Sequence, residues 1–130
     1  MNAQLKVLVV DDEVLIADTL GIILRQGGYQ CRVVYSGTDA LQELLSFRPE
    51  LLISDVIMPG LRGIDLAIRA RELLPGCEIL LLSGQAATAD LMQVASAAGH
   101  SFDLLSKPVH PDELLNQVAR RIKRVPSSGA

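Results

Sequence analysis

The chain has 130 residues, of which 49% are hydrophobic and only 3% aromatic, and its formal net charge at pH 7 is -3. That length fits one domain with enough apolar residues for a full, mainly aliphatic core. The acidic balance argues against general nucleic-acid binding and against a polybasic membrane anchor. There is no apolar run near the roughly 18 residues of a membrane span and no signal-peptide pattern at residues 1–6, so we expect a cytoplasmic protein.

The first half of the chain predicts three strands and two helices. Residues 5–10 are a nearly unbroken Val and Leu run, typical of a strand covered on both faces. Residues 14–27 have helical spacing, and Gly27-Gly28 ends that helix. A more polar strand near the sheet edge follows at 29–35, then a helix opened by Ser36, then the apolar strand 51–54. The apolar positions expected to face the core are Val14, Ala17, Leu20, Ile23, Leu24, Ala40, Leu41, Leu44 and Leu45.

The second half continues the strand–helix alternation. Helical spacing predicts helices at 64–74 and 88–98, and short apolar runs predict strands at 79–82 and 102–105. Pro111 begins a last helix whose core side is Leu114, Leu115 and Val118, and residues 120–124 form a solvated basic end. The five β–α units predict one doubly wound α/β domain with a parallel sheet over residues 1–124. Residues 125–130 are either a flexible tail or a truncated linker.

The cysteines and histidines carry no separate chemistry. Cys31 and Cys77 lie near the starts of two strands without CxxC spacing, which favours buried thiols in a reducing compartment. His100 and His110 lie in loop contexts without a partner at metal-ligand spacing, which favours solvated or capping roles.

Polar residues follow four of the predicted strands where each strand ends. They are Asp11-Asp12-Glu13, Asp55, Ser83-Gly84 and Lys107-Pro108. The carboxyl ends of parallel strands share one edge, where ligands bind. We therefore expect the carboxylates of Asp11, Asp12 and Asp55, a hydroxyl and an ammonium to meet there. Like charges packed together need a cation or a function to hold them.

The four strand ends carry motifs that resemble the receiver domain of two-component response regulators. The motifs are VVDDE at 9–13, ISDVIMPG at 53–60, LLSG at 81–84 and LSKP at 105–108. The resemblance spans about residues 6 to 121. It implies the flavodoxin-like strand order 2-1-3-4-5 with helices on both faces of the sheet.

The resemblance also implies a role for each residue of the strand ends. Asp55 would be the nucleophile that accepts a phosphoryl group from a sensor histidine kinase or a histidine phosphotransfer protein. Asp11, Asp12, Asp55 and the backbone carbonyl of Ile57 would hold Mg²⁺. Lys107, aimed inward by a cis bond to Pro108, would pair with the phosphoryl oxygens, and Ser83 would donate a hydrogen bond to them.

The chain departs from the family at three places. Leu104 stands where Tyr or Phe is common, and we expect it to be an ordinary core residue, with Phe102 as a substitute aromatic. Ile57 and Gln85 stand at positions that influence attack by water on the acyl phosphate, and an apolar Ile57 favours a long-lived phosphorylated form. Gly84 replaces a common Ala and leaves open space beside the site.

These observations predict a phosphorylation switch without a visible effector domain, which changes the surface formed by residues 88–98, 102–105 and 111–123. It would be a monomer or a phosphorylation-dependent dimer that promotes its own phosphorylation and dephosphorylation, with no direct nucleic-acid or membrane contact.

Three alternatives to this function have different sequence requirements. A haloacid-dehalogenase-type phosphatase needs a second Asp where Ile57 stands. A flavin carrier needs a phosphate loop where Asp11-Asp12-Glu13 stands. The full acid set argues against a degenerate scaffold.

Overall fold

A computed structural model describes residues 4–84, 92–93 and 96–122. Strands and helices alternate along most of that length. In chain order the elements are β1 (Lys6–Val10), α1 (Val14–Gln26), β2 (Gln30–Val34), α2 (Gly37–Ser46), β3 (Leu51–Asp55), α3 (Gly63–Leu73), β4 (Glu78–Ser83), β5 (Asp103–Ser106) and α4 (Pro111–Ile122). The predicted helix 88–98 lies largely outside the described residues, as does the predicted tail 125–130.

The five strands form one parallel sheet in the order β2-β1-β3-β4-β5. This confirms the strand order, the doubly wound α/β class and the edge position of the polar second strand. From β1 the chain adds β2 on one side of the sheet, and from β3 it adds β4 and β5 on the other side. In sheets of this kind a crevice forms between the carboxyl ends of the two strands where the direction reverses, here β1 and β3. Val10 pairs with Ser54 in this register, which brings the residues after β1 beside the last residue of β3.

Alternate residues of the central strands enter two separate cores. Leu8, Val10, Leu52 and Leu81 pack with residues of α2 and α3 on one face, while Val7, Val9, Leu51 and Ile53 pack with α1 and α4 on the other. Strands covered on both faces are apolar at most positions, which is why residues 7–10 and 79–82 are unbroken apolar runs. Each face buries mainly aliphatic side chains, as the composition predicts.

The helix ends follow local chemistry. The Ser36 side chain accepts a hydrogen bond from the Asp39 backbone N–H at 3.1 Å and caps α2. Gly27 ends α1, and Gly28 takes a φ of 96°, a conformation that favours glycine. Gly63 begins α3 against the end of β3, where a Cβ atom would lie 1.8 Å from the Asp55 carbonyl oxygen. Glycine is therefore what lets α3 start next to Asp55.

Several predicted positions prove different in the structure. Leu104 is 42% exposed, so its assignment to the core is wrong; the buried leucine of β5 is its neighbour Leu105. Val14 and Leu45 are also exposed, because each lies on the solvent side of its helix. Arg121 is buried rather than solvated, since its guanidinium forms an ion pair with Asp103 at 2.8 Å.

The predictions for the burial of the two cysteines, the loop positions of the two histidines and the core side of the last helix agree with the structure. Cys31 and Cys77 are buried free thiols, and His100 and His110 lie between elements. Leu114 and Val118 are fully buried and Leu115 is partly buried. Within residues 4–84, 92–93 and 96–122, no helix has the length and apolar character required to cross a membrane.

Candidate functional site

The predicted polar residues lie at the carboxyl ends of the strands because the register aligns those ends. Asp11 directly follows β1, Asp55 is the last residue of β3, and Ser83 is the last residue of β4. The Lys107 backbone N–H donates to the Ser83 carbonyl at 2.8 Å, which holds the segment after β5 against the end of β4. Because the carboxyl ends of the strands are aligned, residues as far apart in the chain as Asp11 and Lys107 lie at the same edge of the sheet.

Three acids form the floor of the site. One carboxylate oxygen from each of Asp11, Asp12 and Asp55 lies within 4.8 Å of the other two. Asp11 is fully buried, Asp55 is nearly so, and Asp12 is exposed. Oxygen ligands at this spacing, open to solvent on the Asp12 side, suit a hard divalent cation such as Mg²⁺, which keeps several of its own waters.

Lys107 places a single ammonium among these acids. Its Nζ donates to Asp11 Oδ2 at 2.7 Å and to Asp55 Oδ2 at 3.2 Å, and lies 3.7 Å from Glu13 Oε1. The bond between Lys107 and Pro108 is cis, as the family resemblance implied. The ammonium offsets only part of the negative charge, since it lies near three carboxylates and a fourth, that of Asp12, lies beside Asp11 and Asp55.

Burial and the neighbouring charges shift the pKa values of Asp55 and Lys107. Burial raises the pKa of Asp55 and the charge of Asp11 adds to that rise, while Lys107 and a backbone hydrogen bond from Ile57 lower it in part. Burial by itself would lower the pKa of Lys107, but the hydrogen bond to Asp11 and the charges of Asp55 and Asp11 outweigh it and raise that pKa. Asp55 is thus poorly stabilised as a carboxylate, and Lys107 stays protonated.

The structure describes four of the other predicted residues, and they differ in their positions. Ser83 is buried at the end of β4, and Ile57 is partly exposed two residues after Asp55. Gly84 is exposed, and a Cβ there would make ordinary contacts with the Lys107 side chain at 3.7 Å. Gln85 lies outside the described residues. Phe102 packs in the core under the Arg71 guanidinium, so it does not occupy the surface position of Leu104.

Sequence reasoning missed two features of the site. It gave Glu13 no role of its own, although its carboxylate approaches Lys107. It also passed over Gly63, whose missing side chain lets α3 reach the Asp55 backbone. A glycine at the start of an otherwise helical pattern, soon after the candidate nucleophile, was the available signal for Gly63. The sequence held no comparable signal for the contact between Glu13 and Lys107.

Comparison with known proteins gives one consistent family. Residues 7–119 match the model of the response regulator receiver domain. The DNA-binding response regulator MtrA of Mycolicibacterium paratuberculosis is 34% identical over 119 residues, covering 92% of this chain and 52% of that protein. The transcriptional regulatory protein TcrX of Mycobacterium tuberculosis, described as probable, is 30% identical over 118 residues, covering 91% and 50%. The chain therefore spans about half the length of these curated relatives.

Solved structures agree with that match. The chemotaxis response regulator CheY4 of Vibrio cholerae is 30% identical with a TM-score of 0.78, covering 92% of this chain and 99% of that one. A response regulator receiver domain protein of Clostridium thermocellum is 27% identical with a TM-score of 0.82, covering 92% and 95%.

Proposed function

Because the chain belongs to the response regulator receiver domain family, we propose that it is a phosphoacceptor switch in which Asp55 receives a phosphoryl group. The observation that carries the proposal is the pairing of the nearly buried Asp55 carboxylate with the Lys107 ammonium at 3.2 Å, beside Asp11 and Asp12. Phosphoryl transfer needs positioning and charge neutralisation more than covalent help from a protein. This arrangement offers an oxygen nucleophile, a cation and a carboxylate set suited to a metal.

In the proposed reaction an oxygen of Asp55 attacks the phosphorus of a phosphohistidine. The P–N bond breaks, an acyl phosphate forms, and the histidine nitrogen leaves with the electron pair and takes up a proton. Lys107 pairs with one phosphoryl oxygen and Ser83 donates a hydrogen bond to another. Asp11, Asp12, Asp55 and the Ile57 carbonyl would hold Mg²⁺, which supplies further positive charge to the phosphoryl oxygens when bound.

The surface beside the site supports a protein as phosphodonor. Leu15 is 80% exposed, and Val14 and Ile22 on the same helix are more than half exposed. A groove of about 270 Å³ separates this helix from the segment after β5, and its walls include Leu15, Ile16, Ile23, Lys107, Pro108 and Val109. Exposed apolar side chains collected beside a reactive group are typical of a protein-binding surface. We therefore propose a sensor histidine kinase or a histidine phosphotransfer protein as the partner, and a cytoplasmic setting for the exchange.

Intact-mass measurement tests the proposal. The protein is incubated with Mg²⁺ and a small phosphodonor such as phosphoramidate, alongside Asp55→Asn and the control Asp112→Asn, which removes an exposed acid at the start of α4. Wild type and the control should each gain one acid-labile phosphoryl group, and Asp55→Asn none. Equal labelling of all three proteins would exclude Asp55 as the acceptor. Absence of label from the wild type would favour the alternative of a scaffold that takes no phosphoryl group.

A further inference from the structure

The Lys107 ammonium has three carboxylate neighbours at graded distances, and the outermost one has no role in the reaction described above. The distances from Nζ are 2.7 Å to Asp11, 3.2 Å to Asp55 and 3.7 Å to Glu13. We propose that Glu13 is a positioning residue: its carboxylate holds the Lys107 ammonium when that ammonium leaves Asp11. Glu13 thereby favours metal binding at Asp11 and competes with the phosphoryl group for Lys107. The inference rests on the proposed phosphoacceptor function.

The backbone explains why Glu13 lies there. Asp11 uses both of its carboxylate oxygens: Oδ1 accepts the Glu13 backbone N–H at 3.0 Å, and Oδ2 accepts from Lys107. This double contact fixes residue 13 beside the ammonium. Glu13 is also the N-cap residue of α1, but its side chain makes no capping hydrogen bond. The Glu13 carboxylate is therefore not committed to the helix and extends toward Lys107.

The proposed reaction changes both of the closer contacts of Lys107. Asp11 belongs to the group of acids placed to hold a metal, and Asp55 becomes an acyl phosphate. A metal at Asp11 and the ammonium at 2.7 Å from Asp11 Oδ2 compete for the same carboxylate. Glu13 is not part of the three-acid group, so it can keep its contact with Lys107 while Asp11 changes partner.

The Lys107 side chain has room for such a shift. A Cβ atom at Gly84 would lie 3.7 Å from both Cβ and Cδ of Lys107, in ordinary van der Waals contact. Glycine leaves that contact unmade, so residue 84 does not hold the aliphatic part of Lys107 in one position. On the Gly84 side, the position of Lys107 therefore depends on the carboxylates that its ammonium contacts, and Glu13 is one of these.

The expected effect is modest because Glu13 is 63% exposed and its charge is screened by solvent. Exposed ion pairs change an equilibrium by about 1.5-fold to fivefold. Removing the contact should weaken Mg²⁺ binding by that factor, because Lys107 then stays on Asp11. It should strengthen binding of beryllofluoride, a phosphoryl mimic, at saturating Mg²⁺, because Lys107 is then shared with one fewer acid.

The test compares Glu13→Gln, which removes the charge, with Glu13→Asp, which keeps the charge on a side chain one methylene shorter. Mg²⁺ affinity is measured by calorimetry or amide NMR shifts, and urea unfolding checks that the variants are equally stable. We expect both variants to bind Mg²⁺ more weakly and beryllofluoride more tightly than wild type. In a Lys107→Met background, Glu13→Gln should change neither affinity.

Four results would overturn the inference. If Glu13→Asp behaves like wild type, or if the effect of Glu13→Gln persists without Lys107, then Glu13 acts through its charge on the ligand and not through Lys107. Unchanged affinities in all variants would refute it while leaving the phosphoacceptor function standing. A wild type that binds neither Mg²⁺ nor beryllofluoride would refute the proposed function itself, and this inference with it.

Discussion

Replacing Gly63 by alanine should damage both the fold and the site. The new Cβ would lie 1.8 Å from the Asp55 carbonyl oxygen, 2.8 Å from the Asp55 carbonyl carbon and 2.9 Å from Val56 Cα. All three atoms are backbone, so no side chain can turn aside. Real Cβ contacts essentially never fall below 3.0 Å, so the start of α3 and the Asp55 backbone must move apart by at least 1.2 Å, the difference between 3.0 and 1.8 Å.

This separation of α3 from the Asp55 backbone has an energetic and a functional consequence. It breaks or lengthens the hydrogen bond from the Gly63 N–H to the Val56 carbonyl, now 2.8 Å. Overpacking typically costs about 1–3 kcal/mol and a lost buried hydrogen bond about 1–3 kcal/mol more, so we expect a loss of roughly 3 kcal/mol or more. A displacement of about 1 Å at a reacting group is worth roughly a hundredfold in rate, so phosphorylation of Asp55 should also slow.

Urea unfolding and the rate of phosphorylation by phosphoramidate measure the two effects. The matched control is Gly76→Ala, because a Cβ at Gly76 meets nothing within 4 Å; this variant should be neutral or slightly more stable. If Gly63→Ala unfolds within about 1 kcal/mol of the control and is phosphorylated at the normal rate, then α3 does not approach Asp55 as closely as the structure shows.

Three further predictions concern other parts of the molecule. Leu104→Ala should cost under about 0.5 kcal/mol and Leu105→Ala about 2–4 kcal/mol in urea unfolding, because only the second is buried; equal costs would contradict the assignment of faces on β5. Burial raises the pKa of Cys31 to about 11 and of Cys77 to about 12, from 9.0. Their contribution to the free energy of unfolding is therefore complete below pH 9 and falls at higher pH, where the thiols of the unfolded chain ionise first. A variant with alanine at both positions should lose this part of the alkaline decline in stability; an unchanged decline would contradict the burial of the two thiols. Phosphorylated protein should decay up to about tenfold faster in Ile57→Asn than in wild type after the donor is removed, since Asn can orient a water molecule; equal decay would show that another group sets the lifetime.

Much of the fold was predictable because its rules are local. Unbroken apolar runs such as residues 7–10 indicated strands covered on both faces. Ser36 and the Gly27-Gly28 pair marked helix ends at the residues where the structure has them. The site residues could also be predicted from the sequence, because they lie at the ends of strands. Parallel strands bring their carboxyl ends to one edge whatever the details of packing.

The positions that sequence reasoning placed wrongly depend on neighbours that are distant in the chain. Leu104 and Leu105 are identical in type and adjacent, so composition could not say which one faces the core; the pairing of β5 with β4 decides it. Arg121 reads as part of a basic helix end. Only the arrival of Asp103 beside α4 supplies the counter-ion that allows its burial.

The succession of strands and helices along the chain and the chemical types of the residues at the site follow from the amino-acid sequence, because hydrophobic period and strand ends are local properties. The packing of the folded chain sets the contacts of the Lys107 ammonium with Asp11, Asp55 and Glu13, and it places the start of α3 against the Asp55 backbone. Those contacts depend on distances of a few ångströms between segments up to 96 residues apart. Such distances are set by how the helices pack on the sheet, which no local pattern in the chain encodes.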